Sequence, residues 1–188
     1  QLMTYKSFKE KGTRIELQYV IKPVNEGSSV GVFIIKSKED LKNVVYKDKN
    51  QEVLVEKFID GKELTCMVLK DKAYVVTELN ASGEFYNYEA KYTDGITTHI
   101  LPAPVPTDIA EIVKTYSVRI HKALGCNTLS RSDLRYNEED GVVFLEINTN
   151  PGLTPLSLVP EQAKFIGISY TELCKTLVEN ATCKRISL

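Results

Sequence analysis

The stretch VVFLEINTNPGLT, residues 142 to 154, constrains the fold most. An apolar run long enough for one strand ends on an acid and an amide, Glu146 and Asn148, and then breaks at Asn150-Pro151-Gly152. Side chains two apart on a strand share a face, so Glu146 and Asn148 project together while Ile147 turns toward the core. Upstream, the turn Glu138-Glu139-Asp140-Gly141 joins this run to NTLSRSDLRY, which predicts an antiparallel pair. By the same alternation Arg131 and Asp133 share a face and Ser132 points the other way. Asp133, Glu146 and Asn148 then make an all-oxygen donor set of the kind that suits Mg²⁺, with waters and phosphate oxygens filling its remaining positions. The residues alone also fit the polar side of a two-faced sheet, a reading that would win for one strand but yields to the metal when two paired strands carry acids at matching ends.

The rest of the chain alternates short β-rich runs with helical ones, which predicts a mixed α+β protein. LQYVIKP (17 to 23) and GVFII (31 to 35) read as strands flanking a glycine loop, followed by a short helix with Ser37 as N-cap and Asp40 three residues on. EVLVEKFI, ELTCMVLK and AYVVTEL read as a three-stranded meander with turns at Asp60-Gly61 and Asp71. Ile109, Ile112, Val113, Tyr116, Ile120 and Leu124 recur at helical spacing and predict a long amphipathic helix ending at Gly125. Two further helices are expected, one near Glu161 to Phe165 and one opened by the capping box Ser169 to Glu172.

Lys plus Arg total 24 against 25 for Asp plus Glu, so there is no basic field for nucleic acid and no polybasic membrane segment. No apolar run approaches membrane-spanning length. The cysteines Cys66, Cys126, Cys174 and Cys183 lack zinc-site spacing and fit reduced thiols of a cytoplasmic protein.

Three other stretches carry candidate chemistry. VIKPVNEGSSVGV places Lys22 before a loop whose backbone N–H groups and hydroxyls, Ser28 and Ser29, can close on phosphates. It also fits a plain flexible turn. VEKFIDGKELT offers Glu56, Lys57 and Glu63 around a short linker that suits an adenine edge and ribose hydroxyls, or an ordinary charged hairpin. FYNYEAKY lies in the aperiodic segment 80–98 and reads either as a mobile lid presenting Lys91 and Tyr92, or as tyrosines packing back on the domain.

Taken in order, IKPVNEGSSVGV, VEKFIDGKELT, FYNYEAKY, SRSD and FLEINTNPGLTPLSLVP resemble the D-alanine:D-alanine ligase family of ATP-grasp carboxylate–amine ligases. The resemblance runs from about Tyr19 to the last helix, and YEAKY followed by ExNTxPGxTxxSLVP is its specific part. It implies an ATP-grasp fold, with two mainly antiparallel sheets and helices gripping ATP, divided here as 1–59 and 60–188. It implies that Asp133, Glu146 and Asn148 hold two Mg²⁺ or Mn²⁺ ions. Lys22, Ser29 and Lys91 then meet phosphates, and Glu56, Lys57, Ile59 and Glu63 meet adenine and ribose. Tyr92 approaches Ser28 on lid closure and favours an amine over a hydroxy acid as second substrate. Arg131 and Gly152 stabilise the oxyanion, and Ser157 with Leu158 hold the second D-alanine.

The implied reaction joins two D-alanines through an acyl phosphate for peptidoglycan synthesis in a cytoplasmic homodimer. Family members also have an N-terminal domain, carrying a glutamate for the first D-alanine, and an early central-domain lysine, neither with a counterpart here. These 188 residues are therefore expected to be an inactive fragment. Two rivals are another ATP-grasp ligase with a different amine or thiol partner, and a nucleotide-binding module without turnover.

Overall fold

The computed structural model describes residues 1–27, 29–81, 97–155 and 157–182. Gln1–Asp60 and Ala81–Thr97 make one compact unit; Gly61–Asn80 and Thr98–Leu188 make the other.

The first unit opens with β1 (Leu2–Thr4) and α1 (Tyr5–Lys11), whose Thr4 side chain accepts from the Ser7 N–H as N-cap. β2 (Tyr19–Pro23), β3 (Phe33–Ile35) and β4 (Glu52–Lys57) complete an antiparallel sheet in the order β1-β4-β2-β3. Alternation puts Tyr19, Ile21, Val53 and Val55 into a core with Tyr5, Phe8, Ile35, Val44 and Tyr46. The expected short helix after β3 is a 3₁₀ helix, Lys38–Asn43, with Ser37 and Asp40 forming its capping box. Hydrogen bonds from the Ser37 and Lys36 backbone hold the Asp40 carboxyl below its usual range. The N-terminal strand and helix were not anticipated, because LMT is too short for a period and YKSFKEK buries only Tyr5 and Phe8.

The second unit is a six-stranded sheet between helices. β5 (Lys62–Leu69) is central, flanked by β9 (Leu129–Asn137) and then β10 (Gly141–Asn148) on one side. On its other side lie β6 (Lys72–Ala73) and β7 (Thr77–Ala81), with β8 (Thr97–Ile100) beyond β7. Leu64, Cys66, Leu134, Val142 and Phe144 face α2 (Thr107–Ala123). Met67, Leu69 and Leu129 face α3 (Leu158–Phe165) and α4 (Tyr170–Glu179).

Three expectations are corrected. The meander does not exist: β4 belongs to the first sheet and β5 to the second, so Asp60-Gly61 carries the chain from one unit to the other. AYVVTEL is not one strand but β6 and β7, with Tyr74, Val75 and Val76 outside both. Gln162 of α3 fills the gap on the edge of β5: its Oε1 accepts from Met67 N at 2.8 Å and its Nε2 donates to Thr65 O at 3.3 Å. Third, α2 buries Val113 of the predicted row together with Ser117 and His121, while Ile109 and Ile120 are half-buried and Ile112, Tyr116 and Leu124 are exposed. The polar members of that buried row have partners. Ser117 Oγ donates to Val113 O at 2.9 Å, and His121 Nδ1 lies 2.7 Å from Ser130 Oγ.

Candidate functional site

On one face of the second sheet the helices stop short. Along β5 that face reads Leu69, Met67, Thr65, Glu63, and along β9 it reads Leu129, Arg131, Asp133, Arg135, each pair in register. α3 and α4 cover the apolar end, and the polar end is a row of charged side chains.

The β9–β10 register sets Glu146 opposite Asp133 and Asn148 opposite Arg131. Directly opposed residues share a face with their Cβ atoms about 5 Å apart. Simple alternation would not have produced this arrangement: Phe144, two residues before Glu146, faces the apolar core with its partner Leu134. The register shifts between Phe144 and Glu146, leaving Leu145 as a bulge that turns the strand over. Without it, Glu146 would point into the core beneath α2. The turn Asn137 to Gly141 is held by Asp140 N donating to Asn137 Oδ1 at 2.6 Å, with Gly141 at a φ of 69°.

Asp133 is held from two sides. Arg131 donates Nε to its Oδ1 at 2.9 Å and an η nitrogen to its Oδ2 at 2.7 Å, and Thr65 Oγ1 donates to Oδ1 at 2.7 Å. Asn148 Oδ1 accepts from Asn150 N at 3.0 Å where the strand breaks. Two carboxylates and an amide oxygen supply hard donors only, which fits a divalent cation that keeps water and phosphate oxygens. Among the described residues no three His, Cys, Asp or Glu side chains converge.

Beyond β10, the Thr154 N–H donates to Ser157 Oγ at 3.0 Å, and Thr154 Oγ1 lies 2.8 Å from the same hydroxyl. A Cβ on Gly152 would meet Ser157 Oγ at 2.9 Å. Gly152 and Ser157 are thus neighbours, and Leu158 is buried as the first residue of α3. Glu63 pairs with Arg135 at 2.8 Å.

In the first unit, the β2–β4 register sets Val20 opposite Glu56, so Glu56 and Lys22 share the face turned away from the core and form an ion pair. Lys57 is exposed and Ile59 buried at the end of this unit. Ser29 has a φ of 58°, and the loop is tied down where Tyr46 Oη donates to Gly31 O at 2.6 Å. Burial pushes the Tyr46 phenol above its ordinary value. Ser28, Lys91 and Tyr92 lie outside the described residues.

Residues 2–179 match the family described as D-ala D-ala ligase C-terminus. The chain belongs to this ligase family. The D-alanine–D-alanine ligase of Zymomonas mobilis is 54% identical over 172 residues, covering 87% of this chain and 54% of that protein. The chain therefore spans about half the length of the curated relatives it matches. The crystal structure of D-alanine–D-alanine ligase from Bacillus anthracis complexed with ATP has a TM-score of 0.71 at 29% identity, covering 96% of this chain and 59% of that one. VanG D-Ala:D-Ser ligase from Enterococcus faecalis has a TM-score of 0.75 at 30% identity, covering 95% of this chain and 55% of that one. The ATP-grasp expectation for the fold is borne out, as is the family resemblance. No helix among the described residues is long and apolar enough to cross a membrane.

Sequence reasoning missed Thr65, Arg135 and Gln162. The alternation that placed Asp133 also places Arg135, two residues on, and Thr65 stands two residues after Glu63. Gln162 gave no signal, since one glutamine in a helix has no period.

Proposed function

We propose that the chain is the nucleotide- and metal-binding part of an ATP-dependent D-alanine:D-alanine ligase that makes D-alanyl-D-alanine for peptidoglycan. The observation that carries this is the register of β9 on β10, which gathers Arg131, Asp133, Glu146 and Asn148 on one face.

Asp133, Glu146 and Asn148 hold Mg²⁺ or Mn²⁺, two ions by family resemblance, and the bound cation screens the charge of the triphosphate. Lys22, Ser29 and Lys91 bind phosphate oxygens, so Lys22 exchanges Glu56 for them when nucleotide arrives. Glu56, Lys57 and Ile59 bind adenine, and Glu63 binds the ribose. The carboxylate of the first D-alanine attacks the γ-phosphorus, giving an acyl phosphate and ADP. The amine of the second D-alanine, held through its carboxylate at Ser157 and Leu158, attacks the acyl carbon and phosphate leaves. Arg131 and the Gly152 backbone stabilise the oxyanion formed in that attack. Ser28 and Tyr92 close the lid and exclude water that would hydrolyse the acyl phosphate. The family resemblance further supports a cytoplasmic homodimer.

Two assays test this reading. The chain titrated with an ATP analogue should bind it in Mg²⁺ and lose binding when the metal is chelated. Joined to the half of the Zymomonas mobilis relative that it does not match, it should release phosphate from ATP only when D-alanine is added. Nucleotide binding with no such release would favour the non-catalytic module, and release that needs D-serine as well would favour the chemistry named for VanG.

A further inference from the structure

We infer that Arg135 is a positioning residue for the nucleotide: it fixes the Glu63 carboxylate against the ribose and so sets the preference for ATP over 2′-deoxy-ATP. This rests on the nucleotide reading above. Glu63 and Arg135 stand directly opposite each other on β5 and β9. One η nitrogen donates to Glu63 Oε2 at 2.8 Å, and the other lies 3.4 Å from the Gly61 carbonyl oxygen. The two side chains are only 16% and 10% exposed, so the pair is weakly screened and its geometry is set by packing as well as charge.

The fork has a fixed anchor. Gly61, at a φ of 105°, is overlain by the Tyr136 carbonyl so closely that no side chain fits there. A glutamate side chain free in solution samples many rotamers, and holding it in one removes the entropy that ribose binding would otherwise cost. A carboxylate has about four acceptor positions, so an Arg-bound Glu63 still accepts from hydroxyls. The same device appears two residues back, where Arg131 fixes Asp133.

The test measures affinities of the chain for ATP and 2′-deoxy-ATP in Mg²⁺, with Glu63→Gln, Arg135→Met and Arg135→Lys. The ATP preference should fall about tenfold in Arg135→Met, the size of one hydrogen bond to a charged group. Arg135→Lys should recover part of it, and Arg135→Met added to Glu63→Gln should lower it no further. Equal loss for both nucleotides in both Arg135 variants overturns the inference, because a merely structural arginine acts on both alike. If Glu63→Gln leaves the preference unchanged, the ribose role of Glu63 falls first. If Glu63→Gln abolishes it and both Arg135 variants keep it, the ribose reading stands and the inference alone falls.

Discussion

Replacing Gln162 by leucine removes the two bonds that stand in for a missing strand on the edge of β5. Leucine keeps the bulk of the side chain, and Gln162 is fully buried, so water cannot replace the lost amide. Met67 N–H, bonded at 2.8 Å, and Thr65 C=O, bonded at 3.3 Å, are both left unpaired. Each buried orphan costs about 1–3 kcal/mol, less for the longer bond, and the better transfer of leucine offsets about 1 kcal/mol. The expected net loss is about 3 kcal/mol, a large share of the ~5–15 kcal/mol that holds a domain together. With a urea slope of about 2 kcal/mol/M, the unfolding midpoint of the second unit should drop by about 1.5 M. Amide exchange at Met67 should speed up most, since its acceptor is gone. A midpoint shift below about 0.5 M with an unchanged slope would refute the reasoning, and would mean that the strand edge finds other partners.

Thr65→Val should weaken Mg·ATP binding several-fold, with Thr65→Ser restoring it, because Thr65 holds one Asp133 oxygen; titration calorimetry reads this directly. Gly61→Ala should destabilise by more than about 2 kcal/mol in chemical unfolding, since a methyl at a φ of 105° meets the Tyr136 backbone. His121 should give a pH step. Burial pushes its imidazole below the ordinary 6.5 although Asp71 opposes this, and Lys122 adds to the depression. The unfolded chain then binds a proton that the folded one refuses, so stability is full above about 6.5 and falls as pH drops toward the folded value. Unfolding midpoints between pH 5 and 8 should slope accordingly and flatten in His121→Gln.

Much of this was legible in the sequence for one physical reason: side-chain alternation on a strand is rigid. Glu146 with Asn148, and Arg131 with Asp133, could each be put on a common face from spacing alone, and the structure sets the two pairs opposite each other. Spacing could not show which sheet a strand joins. β4 and β5 are separated by an Asp-Gly turn that elsewhere makes a hairpin, yet pairing with β1 and β2 takes β4 into another sheet. Nor could apolar period locate the buried side of α2, because its polar members are buried too: Ser117 bonds back to the Val113 carbonyl of its own helix, and His121 meets Ser130 only in the folded chain. The register shift at Leu145 is likewise decided by what lies beneath Phe144 and Glu146.

That one supernumerary residue gives β10 two different rules for positions of the same parity. Val142 and Phe144 should tolerate only greasy replacements, while Glu146 and Asn148, still even-numbered, should tolerate only oxygen donors. A saturation scan would therefore show its preference inverting midway along one uninterrupted strand, and repacking the first half should leave ligand chemistry in the second undisturbed.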